Sequence, residues 1–177
     1  MLSISMVRCS GSAQVAHSIG ITIQALGVRA PDDFNEAFTA MDKEPPDAIL
    51  IVSDSLTTLN RKRVFDFAAQ RRLPAIYEYD FLVRDGGLMS YGADLTEAFE
   101  RAGALVDRIF RGANSAELPF ERPIRYPFVV NLKTAKAMGL GLPPHLVALA
   151  DEQAAAIRRR PIQQVATQPS VLASAAS

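Results

Sequence analysis

The sequence predicts an α/β fold in which helices flank a parallel β-sheet. A continuous apolar run of strand length, 48–52, is typical of a strand that is covered on both faces. Two further strand-like runs, 21–28 and 73–77, stand on either side of it, and helical patterns separate the three. Strands that alternate with helices at this spacing indicate right-handed βαβ units, and therefore a parallel sheet.

The helical segments between these strands each have apolar residues available for packing. The first begins at 31–33, where two aspartates favour a helix amino terminus, and the prolines at 45–46 end it. The second is predicted over about 60–71. The apolar side chains of the first recur at helical spacing and form one face: Phe34, Ala37, Phe38 and Met41.

The second half of the chain continues this alternation between turns rich in glycine and proline. The longest helical pattern there has its apolar residues on one stripe. The predicted elements are, in order, a strand at 88–91, a helix at 95–110, a strand at 128–130, a helix at 132–138 and a last helix from 143 to about 157.

A chain of 177 residues is long enough for one α/β core with a tail. The predicted domain covers 20–157, after an atypical amino-terminal segment at 1–19. From 158 the sequence turns to Arg, Gln, Thr, Ser and Ala with scattered apolar residues. Such a composition buries too little apolar surface to offset the entropy of ordering, so 158–177 is predicted to be a disordered tail.

Composition and motifs exclude several classes of function. The 19 basic side chains balance the 19 acidic ones, which leaves no positive surplus for nucleic acid. Cys9 is the only cysteine and there are two histidines, too few for a structural metal site. No nucleophile elbow, dinucleotide loop or phosphate loop is present, so we expect no cofactor and no enzymatic activity. An enzyme that uses Asp54 or Asp80 as a base remains the less favoured alternative.

The candidate binding residues stand where the predicted strands end. Ligands bind at the carboxyl ends of strands in an open parallel sheet, because loops and helix amino termini converge there. A carboxylate such as Asp54 would pair with a ligand ammonium, and hydroxyls would hold a ligand carboxylate. The same residue types also suit a turn or a helix cap, and tyrosines beside strands are often core residues. The candidates are Ser53, Asp54, Ser55 and Leu56 after 48–52, Tyr79 after 73–77, and Tyr91.

Three segments carry a resemblance to a known family. They are Leu-Pro-Ala-Ile-Tyr at 73–77, Gly-Gly-Leu-Met-Ser-Tyr-Gly at 86–92 and Asn-Leu-Lys-Thr-Ala-Lys-Ala-Met-Gly-Leu at 131–140, with Pro143-Pro144 just beyond. In this order and spacing they resemble the substrate-binding proteins of ABC transporters that include tryptophan-binding members. The resemblance extends over about 20–152, and it includes 28–34 and 46–50.

The resemblance implies a type I periplasmic-binding fold, in which two α/β lobes close on a solute and present it to a membrane permease. It implies that the loop 53–56 faces the ligand, with Asp54 near a ligand amine, and that Tyr91 lies near the point where the chain crosses between lobes. The helix 95–110 would then pack on the first lobe. It also implies a periplasmic location, although no signal peptide precedes this lobe, so the chain as written would stay in the cytoplasm.

One departure from the family pattern is large. We expect the first lobe and the first strand of the second lobe to be missing before Gly20, and Met1–Ser18 to have no family counterpart. The apolar stripe of the helix 95–110 would then lack its partner and would favour self-association.

The leading hypothesis is a solute-binding component of an ABC transporter, or a truncated remnant of one, for an amino acid or similar small polar solute. The alternative is a ligand-sensing effector domain of a regulator or signalling protein. The identity of the solute does not follow from the sequence, because it depends on the geometry of the pocket.

Overall fold

The computed structural model describes residues 2–7 and residues 16–153. The strands in these ranges are β1 (Leu2–Val7), β2 (Ile21–Ala25), β3 (Ala48–Ile51), β4 (Ala75–Tyr77), β5 (Met89–Tyr91), β6 (Phe128–Val130) and β7 (Glu152–Gln153). The helices are α1 (Asp33–Lys43), α2 (Ser55–Leu59), α3 (Arg61–Arg71), α4 (Asp80–Arg84), α5 (Leu95–Phe110), α6 (Leu132–Met138) and α7 (Pro144–Leu149), with a 3₁₀ turn at Ser115–Glu117.

The described strands form one sheet in the order β2-β1-β3-β4-β5-β6-β7. The first five run parallel, β6 is antiparallel to β5, and β7 is parallel to β6. The carboxyl ends of five strands therefore meet at one edge of the sheet, together with the amino end of β6. We call this the carboxyl edge. The predicted α/β class and the parallel sheet are confirmed.

The core lies between the central strands and the helices that cover them. Ile49 of β3 and Tyr77 of β4 are almost fully buried, as is Phe34 of α1. The rings of Phe38 and Phe67 stack with centroids 4.3 Å apart, and this contact joins α1 to α3. Burying a side chain of this size contributes about 2–3 kcal/mol each, so these contacts hold the helices against the sheet.

The expectation that the first strand of this lobe is missing is wrong. Residues Leu2–Val7 form β1, which lies between β2 and β3 and pairs with both. The segment Leu-Ser-Ile-Ser-Met-Val alternates apolar and small polar residues, which is a strand pattern. Its partners in a parallel sheet come from later in the chain, and that pairing is invisible in a local stretch of sequence.

Two predicted element ends are also wrong. The strand predicted at 21–28 stops at Ala25, and the last helix stops at Leu149 and not near 157. After α7 the chain turns into β7, where the backbone N–H of Asp151 donates to the carbonyl of Phe128 (2.8 Å) and the Asp151 carboxylate accepts from the N–H of Phe128 (2.8 Å). Pairing with β6 overrides the local helical preference. The predicted tail at 158–177 lies outside the described residues, and the predicted domain boundaries stay predictions.

Candidate functional site

An open cleft lies at the carboxyl edge between the segments that follow β2 and β3. Its volume is about 630 Å³, and its lining among the described residues is Gly27, Val28 and Arg29 on one wall and Asp54, Ser55 and Leu56 on the other. This volume falls within the range of small-molecule sites, about 300–1,000 Å³. The sheet positions both walls, because β2 and β3 are the two neighbours of β1 and the segments that follow them leave the sheet at the same edge.

The backbone of the first wall is fixed by the start of α1. The carboxylate of Asp33 accepts hydrogen bonds from the backbone N–H groups of Arg29 (2.7 Å) and Ala30 (3.0 Å). These two bonds hold the pKa of Asp33 below its usual value, because they stabilise the charged form. Val28 is buried in the core. The Arg29 backbone is therefore held in place at the cleft.

A capping box fixes the second wall. The backbone N–H of Thr57 donates to Asp54 Oδ1 (2.7 Å), and the backbone N–H of Asp54 donates to Thr57 Oγ1 (2.8 Å). The reciprocal pair satisfies two N–H groups at the start of α2. The capping alternative of the sequence analysis is thus confirmed for Asp54. Capping and ligand binding are compatible here, since a carboxylate accepts several hydrogen bonds.

Glu78 links this wall to the next loops of the carboxyl edge. Its Oε2 accepts a hydrogen bond from the backbone N–H of Ser53 (3.1 Å). Burial, followed by the charge and hydrogen bonding of Glu78, raises the pKa of Tyr79. Gly92 lies so close that a Cβ there would overlap the carbonyl oxygen of Glu78. The loops after β3, β4 and β5 therefore form one packed group.

The cleft brings together three of the six predicted site residues, Asp54, Ser55 and Leu56. The Ser53 hydroxyl is buried and has no hydrogen-bond partner among the described residues. Tyr79 stacks on Phe81 with ring centroids 5.9 Å apart. Tyr91 is 59% exposed beside Tyr126. These three residues lie at the carboxyl edge without lining the described cleft, and their contact with a ligand stays a prediction.

Sequence reasoning missed the wall formed by Gly27, Val28 and Arg29. The rule that ligands meet the carboxyl ends of strands selects this segment as readily as it selected 53–58. The strand predicted at 21–28 was too long, so it placed Gly27 and Val28 inside the strand and Arg29 at its end, although all three follow β2.

Two further findings bear on the class of site. Within 16–153, no group of three or more histidine, cysteine or acidic side chains is arranged to hold a metal ion. No helix of the described part of the chain is both long enough and apolar enough to cross a bilayer.

A ligand-sized cleft at the carboxyl edge of a mostly parallel sheet is the usual position of a ligand-binding site in an α/β domain. The sequence model of the family described as ABC transporter substrate binding protein matches residues 3–154, so the chain belongs to this family. The resemblance drawn from the three sequence segments is confirmed. The match begins at residue 3, so the expectation that Met1–Ser18 has no family counterpart is wrong. The family is a solute-binding and not an enzymatic class, and its members are typically periplasmic or extracellular.

Solved structures share the fold at low sequence identity. The ABC domain from Streptococcus pneumoniae in complex with L-Trp is 20% identical with a TM-score of 0.74, and the match covers 86% of this chain and 56% of that one. A conserved domain protein from Vibrio cholerae is also 20% identical with a TM-score of 0.74, at 85% and 54% coverage. The ligand-free, open substrate binding protein CD0873 from Clostridium difficile, which has adhesive properties, is 17% identical with a TM-score of 0.60, at 85% and 54% coverage.

The chain thus spans a little over half the length of these structures. No curated protein matches it in sequence.

Proposed function

We propose that this chain is a ligand-binding lobe of an ABC-transporter solute receptor and that it binds a small polar solute such as an amino acid. The observation that carries the proposal is the cleft between Gly27–Arg29 and Asp54–Leu56, at the edge of the sheet where α/β domains bind ligands. Membership of the substrate-binding family supports it. One structure of the same fold is a complex with L-Trp, which supports an amino acid as the solute.

The chemistry of the second wall suits the ammonium group of such a solute. Asp54 lines the cleft, and its own carboxylate forms a charge-assisted hydrogen bond with the ligand amine. Ser55 adds a hydroxyl and Leu56 an apolar surface. The capping box holds this wall in one conformation before the ligand arrives, which lowers the entropic cost of binding.

The partners that follow from this function are the solute and an ABC permease, with a periplasmic location.

The exposed side of α5 is a further contact surface. It presents Phe99, Val106, Ile109 and Phe110 to solvent, and α5 has no buried residue. Exposed apolar surface of this kind marks interaction sites, and we propose that it also mediates self-association of the chain.

The function is tested by thermal unfolding with each of the standard amino acids. A solute that binds only the folded chain raises the midpoint of unfolding. We expect one class of amino acid to raise the midpoint of the wild-type chain and Asp54→Asn to abolish that rise. Asparagine keeps an oxygen that caps α2, so the variant loses the charge while the helix keeps its cap.

Asp94→Asn is the matched control. Asp94 caps α5 through the N–H groups of Thr96 and Glu97, and it does not line the cleft. The ligand-induced rise should survive in this variant. If no amino acid raises the midpoint of the wild-type chain, or if Asp94→Asn loses the rise as fully as Asp54→Asn, the proposed function is wrong.

A further inference from the structure

The apolar stripe of α5 has the same pattern in both chain directions. Its members follow one another at intervals of 4, 3, 1, 3 and 4 residues, so they share one face of the helix. Larger side chains stand towards the two ends, and the two smallest residues stand at the centre. We call this set the α5 stripe: Leu95, Phe99, Ala102, Gly103, Val106 and Phe110.

The α5 stripe faces solvent along most of its length. From Phe99 to Phe110 each of its members is exposed, and Leu95 is partly buried. A Cβ at Gly103 would meet no atom within 4 Å, so the space beside the centre of the stripe is open. The distance between two packed helices depends on the side chains at their contact. The small residues therefore allow a second helix to approach closely there.

The segment 118–126 adds to the apolar surface beside the stripe. It lies alongside α5, where the guanidinium of Arg101 donates a hydrogen bond to the carboxylate of Glu121 (2.7 Å). Phe120 and Ile124 of this segment are exposed as well. The surface is therefore wider than one row of helix side chains.

The exposed apolar area is close to what a stable pair of chains requires. An aromatic side chain has about 150–250 Å² of surface, so Phe99, Phe110 and Phe120 together leave roughly 400–600 Å² exposed. The total approaches about 800 Å², the area that each partner buries in a standard interface. The exposed aliphatic side chains that complete it are Val106, Ile109 and Ile124.

We propose that two copies of the chain pair through antiparallel α5 helices, about a two-fold axis that passes between Ala102 and Gly103. This inference rests on the self-association proposed above and adds its geometry. In a two-fold interface a residue i contacts a residue j of the partner and j contacts i, so the surface must complement itself. The symmetric pattern of the stripe meets this condition. Phe99 lies against the partner's Val106, and the small residues of the two chains meet at the axis.

The charges at the ends of α5 favour the antiparallel direction. The first turn of the helix carries the acidic Glu97, and the last turn carries the basic Arg108. Antiparallel pairing brings the acidic end of each helix beside the basic end of the other. Parallel pairing would align the like charges and the two helix dipoles, which is the less favourable arrangement.

Cysteine cross-linking tests the proposed pairing. The substitutions are made in a chain that carries Cys9→Ser, since Cys9 is the only cysteine. Ala102→Cys places a thiol beside the two-fold axis, and mild oxidation should convert most of this variant into a disulfide-linked dimer on non-reducing electrophoresis. Ala104→Cys is the matched control. Ala104 is equally exposed, but two residues further along a helix it points to nearly the opposite side, so this variant should stay monomeric.

Two further variants determine the direction of the helices. Phe99→Cys and Val106→Cys should each form little dimer alone, and they should cross-link when the two reduced chains are mixed and then oxidised. In the antiparallel pair the two copies of position 99 are separated by about 10 Å along the helix axis. A disulfide does not span such a distance. Parallel pairing would give the reverse result, with cross-links in each variant alone.

The possible outcomes separate this inference from the earlier proposals. If the Cys9→Ser chain sediments as a dimer and Ala104→Cys cross-links as readily as Ala102→Cys, the antiparallel pairing is wrong and self-association still stands. If the chain sediments as a monomer at all concentrations, as it would if this surface bound only a different protein, the pairing and the self-association are both wrong. Solute binding is tested separately by the shift of the unfolding midpoint, and neither result changes it.

Discussion

Gly92 has no side chain, and this lets the chain at the end of β5 lie against the carbonyl oxygen of Glu78. A Cβ there would also crowd the Glu78 side chain. Backbone atoms cannot give way as a flexible side chain does, so we expect Gly92→Ala to reduce the free energy of unfolding by about 3 kcal/mol or more. Urea denaturation measures this change.

Gly103 provides the opposite case with the same substitution. It lies within α5, and a Cβ there would meet no atom within 4 Å. Alanine is a better helix former than glycine, so Gly103→Ala should raise the free energy of unfolding by about 0.5–1 kcal/mol. Equal effects at positions 92 and 103 would show that Gly92 is not in close contact with Glu78.

Individual residues of the site were predictable to different degrees. Asp54 was found because it follows the most apolar strand of the chain. Ligands bind at the carboxyl ends of such strands, so the position itself predicts a binding residue. Arg29 was missed because Gly27, the strand-weakening residue in Leu-Gly-Val-Arg, does not by itself show that β2 stops at Ala25. The partners that end β2 are residues of β1, and strand pairing of this kind is set by the whole fold.

Among the elements, α5 differs from its neighbours because its apolar side chains face solvent. Phe99 is 73% exposed and Phe110 86% exposed. We expect the double substitution Phe99→Gln with Phe110→Gln to change the free energy of unfolding by less than about 0.5 kcal/mol, as for exposed sites in general. It should lower the average mass measured by sedimentation at high protein concentration, because the apolar surface is lost.

Leu59→Gln is the control for this experiment, since Leu59 is an equally exposed apolar residue on α2. Sedimentation of this variant should match that of the wild type. A wild-type chain that sediments as a monomer at all concentrations would contradict self-association through α5.

The long helices and the seven-residue α6 were predicted, and only the two helices of five residues were missed. The pattern of α5 gave its bounds correctly, since sixteen residues contain several repeats of the apolar spacing. α2 and α4 have five residues each, which is little more than one turn, and periodicity does not reveal them. The end of α7 depends on the pairing of β7 with β6, a contact with residues more than twenty positions earlier.

At the scale of the whole molecule, the buried Tyr77 makes the fold less stable at high pH. Burial raises the pKa of its hydroxyl well above that of a free tyrosine, because the charged form is poorly solvated in the core. The folded pKa is raised, so this contribution to stability is complete below the unfolded pKa of about 10 and is lost as the pH rises above it. Wild-type stability should therefore fall between about pH 9 and about pH 12.

Tyr77→Phe should reduce that fall, because phenylalanine does not ionise. Tyr91→Phe, at an exposed position, serves as the control and should lose stability with pH as the wild type does. Urea midpoints across this pH range provide the comparison. If the two variants follow the same curve, another group causes the alkaline loss of stability.

The antiparallel direction of β6 has a consequence for how this molecule can vary in evolution. The chain leaves the sheet at Tyr91 and returns at Phe128, and these two residues face each other in the ladder. The intervening segment, which contains α5 and the 3₁₀ turn, is therefore a long loop whose two ends are held together by the pairing of β5 with β6. Changing the length of such a loop alters the closure entropy only weakly. Insertions and deletions between β5 and β6 can thus reshape the apolar surface of the molecule while the register of the sheet, and the cleft at its edge, stay the same.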